Sequence, residues 1–257
     1  MSKKTSPIRE SRKVEVQYRK ALLVRTAWLE EKQAQLIKEL KQNSHRFETD
    51  APATDLKAKI NDLREQFKKR FPALMTQRLA KAFYKRISSY NSDKMQSAFN
   101  ALGIDLKDVL KRENLEDFAN IAIKNQVDLI TSIPDEYFDK VEKIVLNGMQ
   151  AGSDYETLGK KIMEATGATK KRAKFIARDQ TSTINSQLSK RRAEAAGVTT
   201  GIWVKTKFSK TAKYTPRESH IKADGKTFPL DKGLKVDGEY IIPGEKIGCS
   251  CTIAYTV

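Results

Sequence analysis

Apolar residues recur at near-helical spacing through most of the chain before Gly197. From about Lys13 to Lys41, Val16, Leu23, Ala27, Ala34, Leu36, Ile37 and Leu40 recur among charges, which predicts an amphipathic helix. Residues 47–54, with Pro52 among them, predict a break. A second helix is expected over about 55–70, and Pro72 opens a third over 73–87. Residues 88–93 read as a turn, with weaker helices following to Asn125. Ser132 with Pro134 predicts a new helix start, followed by the stripe Tyr137, Val141, Ile144, Val145 and Met149, which ends near Gly152. Ser153-Asp154-Tyr155-Glu156 has the form of a capping box, and its helix is expected to run to about Thr166 and stop at Gly167. Thr169 then caps a long helix whose inward face is Ala173, Ile176, Ala177, Gln180, Ile184 and Leu188. Gly197 is placed to end it, with Val198 giving the apolar contact that follows.

Beyond Gly197 the periodicity shortens. Residues 202–206, Phe228, residues 240–242 and residues 252–255 read as short strands. The turn pairs Asp224-Gly225, Lys232-Gly233, Asp237-Gly238 and Pro243-Gly244 separate them. The pattern predicts an α+β chain: mainly helical over its first two thirds, with a small β-rich unit packed on the last long helix. The expected organisation is a flexible basic tail over 1–12, a helical domain for partner contacts over 13–131, and a terminal domain over 132–257. That last domain divides into helices over 132–197 and a β-rich module over 198–257.

The chain has 257 residues, 39% of them hydrophobic and 32% charged. This balance suits well-solvated helices better than one large buried sheet. No run approaches the roughly 18 apolar residues of a membrane helix, so a soluble chain without membrane contact is expected, one that stays in the cytoplasm where it is made or is packed from there. The net charge of +17 attracts polyanions, with nucleic acid foremost. Between Thr169 and Arg192 the cations Lys170, Lys171, Arg172, Lys174, Arg178, Lys190, Arg191 and Arg192 face one acid, Asp179. An exposed helix face usually mixes signs, so this near-uniform face is a candidate for non-specific contact with double-stranded DNA. A solvated basic face is the alternative.

Candidate chemistry sits in the terminal module. Both cysteines of the chain, Cys249 and Cys251, and one of its two histidines, His220, fall there. A disulfide across one intervening residue would be strained, so a reduced pair is expected. Thiolate and imidazole are zinc ligands, and side chains two apart on a strand point the same way. His220, Cys249 and Cys251, with Asp224 as a fourth ligand, would make a structural zinc site. The competing reading has the cysteines as small buried hydrophobes and His220 bonded to the Asp224-Gly225 turn. Trp203 is expected in the core, Arg217 in a local pair with an acid, and His45 in solvent.

The terminal residues resemble the phage Mu F-like minor head protein family, also called phage head morphogenesis proteins. The resemblance rests on Ala177-Arg178-Asp179-Gln180-Thr181, Asn185, Arg192-x-x-x-Ala196-Gly197-Val198 and Trp203. It continues in Arg217-x-x-His220, Asp224-Gly225-Lys226-x-Phe228, Pro243-Gly244-Glu245 and Cys249-x-Cys251, and covers roughly residues 133–257. Ser250 stands between the cysteines where the family usually has Arg. The resemblance implies a low-copy component of a tailed-phage procapsid. Such a protein associates with the portal protein, with scaffolding or major capsid protein as further partners. It would lie inside the head near the portal vertex and assist packaging or delivery of the genome. No enzymatic activity is expected. The alternative is a metal-dependent nuclease or toxin-like effector using His220, and against it stands the lack of paired carboxylates.

Overall fold

The computed structural model describes residues 3–42, 52–151, 153–205 and 217–256. Among these the architecture is α+β, as the pattern predicts. Seven helices occur: α1 (Arg12–Gln42), α2 (Pro52–Arg70), α3 (Ala73–Asn100), α4 (Lys107–Arg112), α5 (Glu116–Gln150), α6 (Tyr155–Ala195) and α7 (Glu218–Lys222). Five strands lie in the terminal part: β1 (Thr200–Val204), β2 (Thr227–Pro229), β3 (Leu234–Val236), β4 (Glu239–Ile241) and β5 (Thr252–Thr256). No helix among the described residues is long and apolar enough to cross a membrane. The predicted break at 47–54, Gly152 and His45 lie largely or wholly outside the described residues.

Three breaks predicted from sequence are absent. Residues 88–93 continue α3, because Asn91 is buried there and its amide donates to Asn185 and Ser189 of α6. Those tertiary bonds outweigh the local turn preference of Ser, Asn and Asp. Ser132 and Pro134 lie inside α5 instead of starting it. The Ser132 hydroxyl donates to the Leu129 carbonyl at 2.9 Å, so it bonds back into the helix and does not cap one. Pro134 removes a single backbone donor, and the buried residues Ile130, Ile133, Tyr137 and Phe138 around it hold the helix through that loss. Gly167 likewise fails to stop α6. Thr166 and Thr169 hydroxyls donate to the Ile162 and Ala165 carbonyls within the helix, and Ala165 and Ala173 are buried on either side of the glycine.

The predicted end of α6 is found. Gly197 has φ +77°, Val198 N–H donates to Ala193 O, and Gly197 N–H donates to Glu194 O. These two bonds with a left-handed glycine make a Schellman motif, closed by buried Val198. At the other end the Asp154 carboxylate caps the helix, accepting from the Thr157 N–H and hydroxyl.

The chain forms two compact units. One consists of Gln17–Lys81 and Ile123–Ala177. Its core joins Leu29 and Leu36 of α1, Ile60 and Phe67 of α2, Tyr137, Phe138, Val141 and Val145 of α5, and Ile162 of α6. Phe67 is central to it, with ring centroids 5.5 Å from Trp28 and 4.8 Å from Phe71.

The other unit consists of Met1–Val16, Ala82–Ala122 and Arg178–Val257. Its sheet has the order β2-β1-β5, all antiparallel, with Trp203 of β1 opposite Ile253 of β5. A separate hairpin pairs β3 with β4 through Asp237-Gly238, where both residues take positive φ, +52° and +86°. This is the conformation a two-residue hairpin turn requires. Trp203, Phe228, Leu230, Ile253 and Tyr255 pack with Met95 and Phe99 of α3 and Ala193 of α6.

The start of the chain is docked onto this unit, contrary to the flexible tail expected over 1–12. Thr5 N–H donates to Tyr255 O and Ile8 N–H to Ile253 O, and Tyr255 N–H donates to the Thr5 hydroxyl. Ile8 and Thr5 are buried. The segment lies along β5 and supplies partners to its backbone, which local polarity did not reveal.

Candidate metal centre and its clamp

His220 lies in α7, a single turn absent from the sequence-based expectation. Its N–H groups bond back to Arg217 O and Ser219 O, and His220 thereby points inward. Cys249 and Cys251 lie at the end of a loop that runs from Ile242 into β5. His220 Nδ1 stands 3.3 Å from Cys249 Sγ and 3.9 Å from Cys251 Sγ. All three donor atoms lie within 4.8 Å of one another. The residues are 3%, 3% and 5% exposed, and the Trp203 ring meets the imidazole edge to face at 5.2 Å. Both thiols are free, and Trp203 is wholly buried in the core, as expected.

The Cys249 thiol is held in its anionic form. A hydrogen bond from the Cys251 thiol lowers its pKa most. Burial opposes this, and the Cys251 and Gly244 N–H groups and the His220 imidazole add to the lowering. The net result is a pKa of about 5 in place of the usual 9.0. The two N–H groups lie 3.5 and 3.3 Å from the sulfur. The thiolate also reaches beyond the loop. Glu10 has its carboxyl pKa raised, first by burial and, among smaller causes, by the Cys249 charge.

This donor set fits zinc. Ligand atoms about 2.0–2.3 Å from a tetrahedral ion stand roughly 3.5–3.8 Å apart, and the two distances to His220 Nδ1 bracket that range. The site has one ligand fewer than the sequence suggested. Asp224 is not part of the cluster. It follows the end of α7, where its carboxylate accepts from Lys205 N–H at 2.9 Å and pairs with Lys205 Nζ at 3.5 Å. The carboxylate fastens the edge of β1.

The cysteine loop is clamped by α6. The Asp179 carboxylate, buried, accepts from Gly248 N–H; the Ser186 hydroxyl donates to Pro243 O; and the Thr183 hydroxyl donates to Gly244 O at 3.1 Å. Gly244 has φ +83°, and a Cβ there would come within 2.8 Å of Ser186 Cβ, so only glycine allows this approach. The loop also bonds within itself, with Ile242 N–H donating to Glu245. Arg217 donates to Ile247 O at 2.9 Å, so it braces the loop through a carbonyl where an acidic partner was expected. Sequence reasoning missed Asp179, Thr183 and Ser186 as site residues. The sequence carried no distinct signal for them, because Thr181, Ser182, Asn185, Ser189 and Arg192 of the same helix are polar and buried as well.

The predicted DNA-contacting cations do not form one free set. Arg192 is 2% exposed and its guanidinium grips Glu113 with two bonds, at 2.7 and 2.8 Å, while also donating to Ser88 and Asn91. It is a structural ion pair and is removed from any DNA-contacting role. Arg172 pairs with Glu136 and Ser132, Lys170 with Glu30, and Lys190 with Glu194. Arg178 is half-buried and takes part in interactions within the fold. Arg191 is exposed and covers the Phe118 ring at 4.6 Å. Lys171 and Lys174 are exposed on α6.

Comparison with known proteins places these features. An uncharacterized protein of Haemophilus influenzae is 31% identical to this chain over 189 residues, covering 73% of the chain and 40% of that protein. The chain thus spans about two fifths of that relative's length. No solved structure matches. The family model described as Phage Mu protein F like protein matches residues 139–254, which takes in the end of α5, all of α6, the clamp and all three members of the His/Cys cluster. The family expected from the terminal motifs, that of phage head morphogenesis proteins, is therefore the family whose model matches, and residues 139–254 of this chain are similar to Phage Mu protein F like protein.

Proposed function

We propose that this chain is a minor head protein of a tailed phage, associated at low copy with the portal protein in the procapsid. In this reading it binds double-stranded DNA without sequence preference and assists packaging or delivery of the genome. The family match over 139–254 carries the proposal. The net charge of +17 and the exposed Lys171, Lys174 and Arg191 support the DNA contact. Scaffolding or major capsid protein are further partners in this reading.

The same reading gives the His/Cys cluster a structural part. Zinc held by His220, Cys249 and Cys251 would tie α7 to the loop that leads into β5. Such a metal would supply folding energy to a module whose strands are only three to five residues long. The alternative, a metal-dependent nuclease or toxin-like effector using His220, needs the site to admit a large substrate. The near-complete burial of all three residues favours a staple over an open site.

The deciding measurement is quantitative mass spectrometry of procapsids and mature heads, made with and without the portal gene. A few copies per particle that disappear with the portal are expected. Absence from particles would overturn the head role and bring the nuclease reading forward, to be tested by DNA cleavage with and without chelator.

A further inference from the structure

A cavity of about 150 Å³ lies in the unit formed by Gln17–Lys81 and Ile123–Ala177, far in sequence from the His/Cys cluster. Its walls come from four helices: Arg25 of α1, Arg64, Phe67 and Lys68 of α2, Thr76 of α3, and Ile130, Pro134 and Phe138 among the residues of α5. The volume is that of a benzene-sized group. Most of the wall is apolar, and the charged groups on it are mainly cations.

Arg25 is the unusual member. It is 4% exposed, yet no ion pair joins it to an acid among the described residues. Its Nη1 donates to the Ala21 carbonyl of its own helix at 3.2 Å, its guanidinium covers the Phe71 ring at 5.1 Å, and its Nη2 is buried with no hydrogen-bond partner. The other two cations at the cavity are already neutralised, Arg64 by Asp139 at 2.9 Å and Lys68 by Glu65 at 2.7 Å. Asp135 also lines the cavity, half-buried, without pairing to Arg25. An uncompensated buried guanidinium is costly, and natural sequences seldom keep one without an anion to meet it. Burial pulls the Arg25 pKa down, but a guanidinium remains charged at any ordinary pH.

A second group at the cavity wants the opposite partner. Pro134 has no N–H, so it cannot return the helical hydrogen bond to the Ile130 carbonyl one turn earlier. The cavity thus offers a cation for a carboxylate and the rings of Phe67 and Phe138 for an apolar side chain, and Ile130 of its lining has a carbonyl without its helical donor. Those three features together are the complement of one chemical object.

The geometry points to a recognition pocket for the C-terminal residue of a partner polypeptide, one that ends in a medium-sized apolar side chain. The carboxylate pairs with the Arg25 guanidinium, the last amide N–H faces Ile130, and the side chain lies among Phe67, Phe138 and Pro134. This pocket is independent of the head-protein reading, of the metal centre and of the α6 cations.

The test uses the full-length chain and three probes: N-acetyl-leucine, its carboxamide, and inorganic phosphate. Binding is followed by chemical-shift titration, with thermal stability as a second readout. N-acetyl-leucine is expected to bind at millimolar strength, as a ligand of about a dozen heavy atoms can, and to shift resonances of α1 and α5. The carboxamide is expected to bind at least tenfold more weakly. Arg25→Met retains the aliphatic stem and is expected to fold with an unchanged or higher Tm, yet to lose at least tenfold in affinity for N-acetyl-leucine. Equal binding of the acid and the carboxamide, or undiminished binding by Arg25→Met, would overturn the proposal. So would phosphate binding more tightly than N-acetyl-leucine, which would assign the cavity to a phosphate ligand instead.

Discussion

At the scale of single residues, the Cys249 thiolate and the Asp179 carboxylate make the most direct predictions. Cys249 titrates near 5 in the folded chain and near the usual 9.0 once unfolded. Its folded pKa is depressed, so below about pH 5 both states hold the proton and the group contributes nothing. Stability then rises with pH between about 5 and 9, because the unfolded chain binds the proton that the folded one has released. In metal-free protein, the Tm difference between wild type and Cys249→Ser is expected to widen from pH 5 to pH 8.5, and melting curves at three pH values check it. A constant difference would mean that the thiolate is not selectively stabilised by folding. Asp179→Ala removes the acceptor of the Gly248 N–H in a buried site and is expected to cost about 1–3 kcal/mol. Calorimetry should show a Tm lower by about 2–4 °C per kcal/mol for a chain of this size. The His/Cys triad could be read from the sequence because soft ligands are rare in this chain. The clamp could not, because Asp, Thr and Ser on a helix have many uses, and only the approach of residues 243–248 assigns them this one.

At the scale of elements, helix ends were read well where their chemistry was local, and badly where a distant partner decided. Gly197 and Val198 ended α6 as expected, since a left-handed glycine and its apolar follower are a self-contained device. The predicted stops at residues 88–93, at Pro134 and at Gly167 were crossed by continuous helices. The first crossing is explained by Asn91, which belongs to a buried polar network with Asn185, Ser189, Arg192 and Glu113. Nothing in the local pattern of α3 announces partners about a hundred residues away. This network fastens α3 to α6, with Arg192 as its hub. Arg192→Met is therefore expected to destabilise by about 3–5 kcal/mol, because Glu113 and the Asn91 carbonyl lose the charged donor that Arg192 gives them. Denaturant unfolding checks this, and a loss under about 1 kcal/mol would show that the network contributes specificity rather than stability.

At the scale of the whole molecule, the hydrophobic periodicity indicated the α+β class, and the terminal motifs indicated the family. The division into units was not legible. Each unit draws on both halves of the sequence, so no change in local texture marks where one ends. Charge was also read too simply: of the eight α6 cations, several are committed to acids within the fold. The count of phosphates neutralised should be correspondingly modest. The slope of log K against log salt is expected near −0.9 for each phosphate contact. Lys171→Glu with Lys174→Glu should make it shallower by about two such contacts. Filter binding at several salt concentrations measures it, and a slope unchanged by the double substitution would move the DNA contact to another surface.

The pairing of Thr5 with Tyr255 has a consequence for how the chain comes to be made. The two residues are 250 positions apart. The segment around Thr5 leaves the ribosome long before β5 and must wait for it before its backbone finds partners. The unit holding Gln17–Lys81 and Ile123–Ala177 is fully synthesised earlier, at residue 177, and is free to close first while 82–122 loops out of it. Closure of so long a loop costs only slowly growing entropy, but it slows the search. Synthesis thus sets an order of assembly, in which Ile8 and its neighbours stay uncovered until β5 arrives. During that interval they are open to chaperones and proteases.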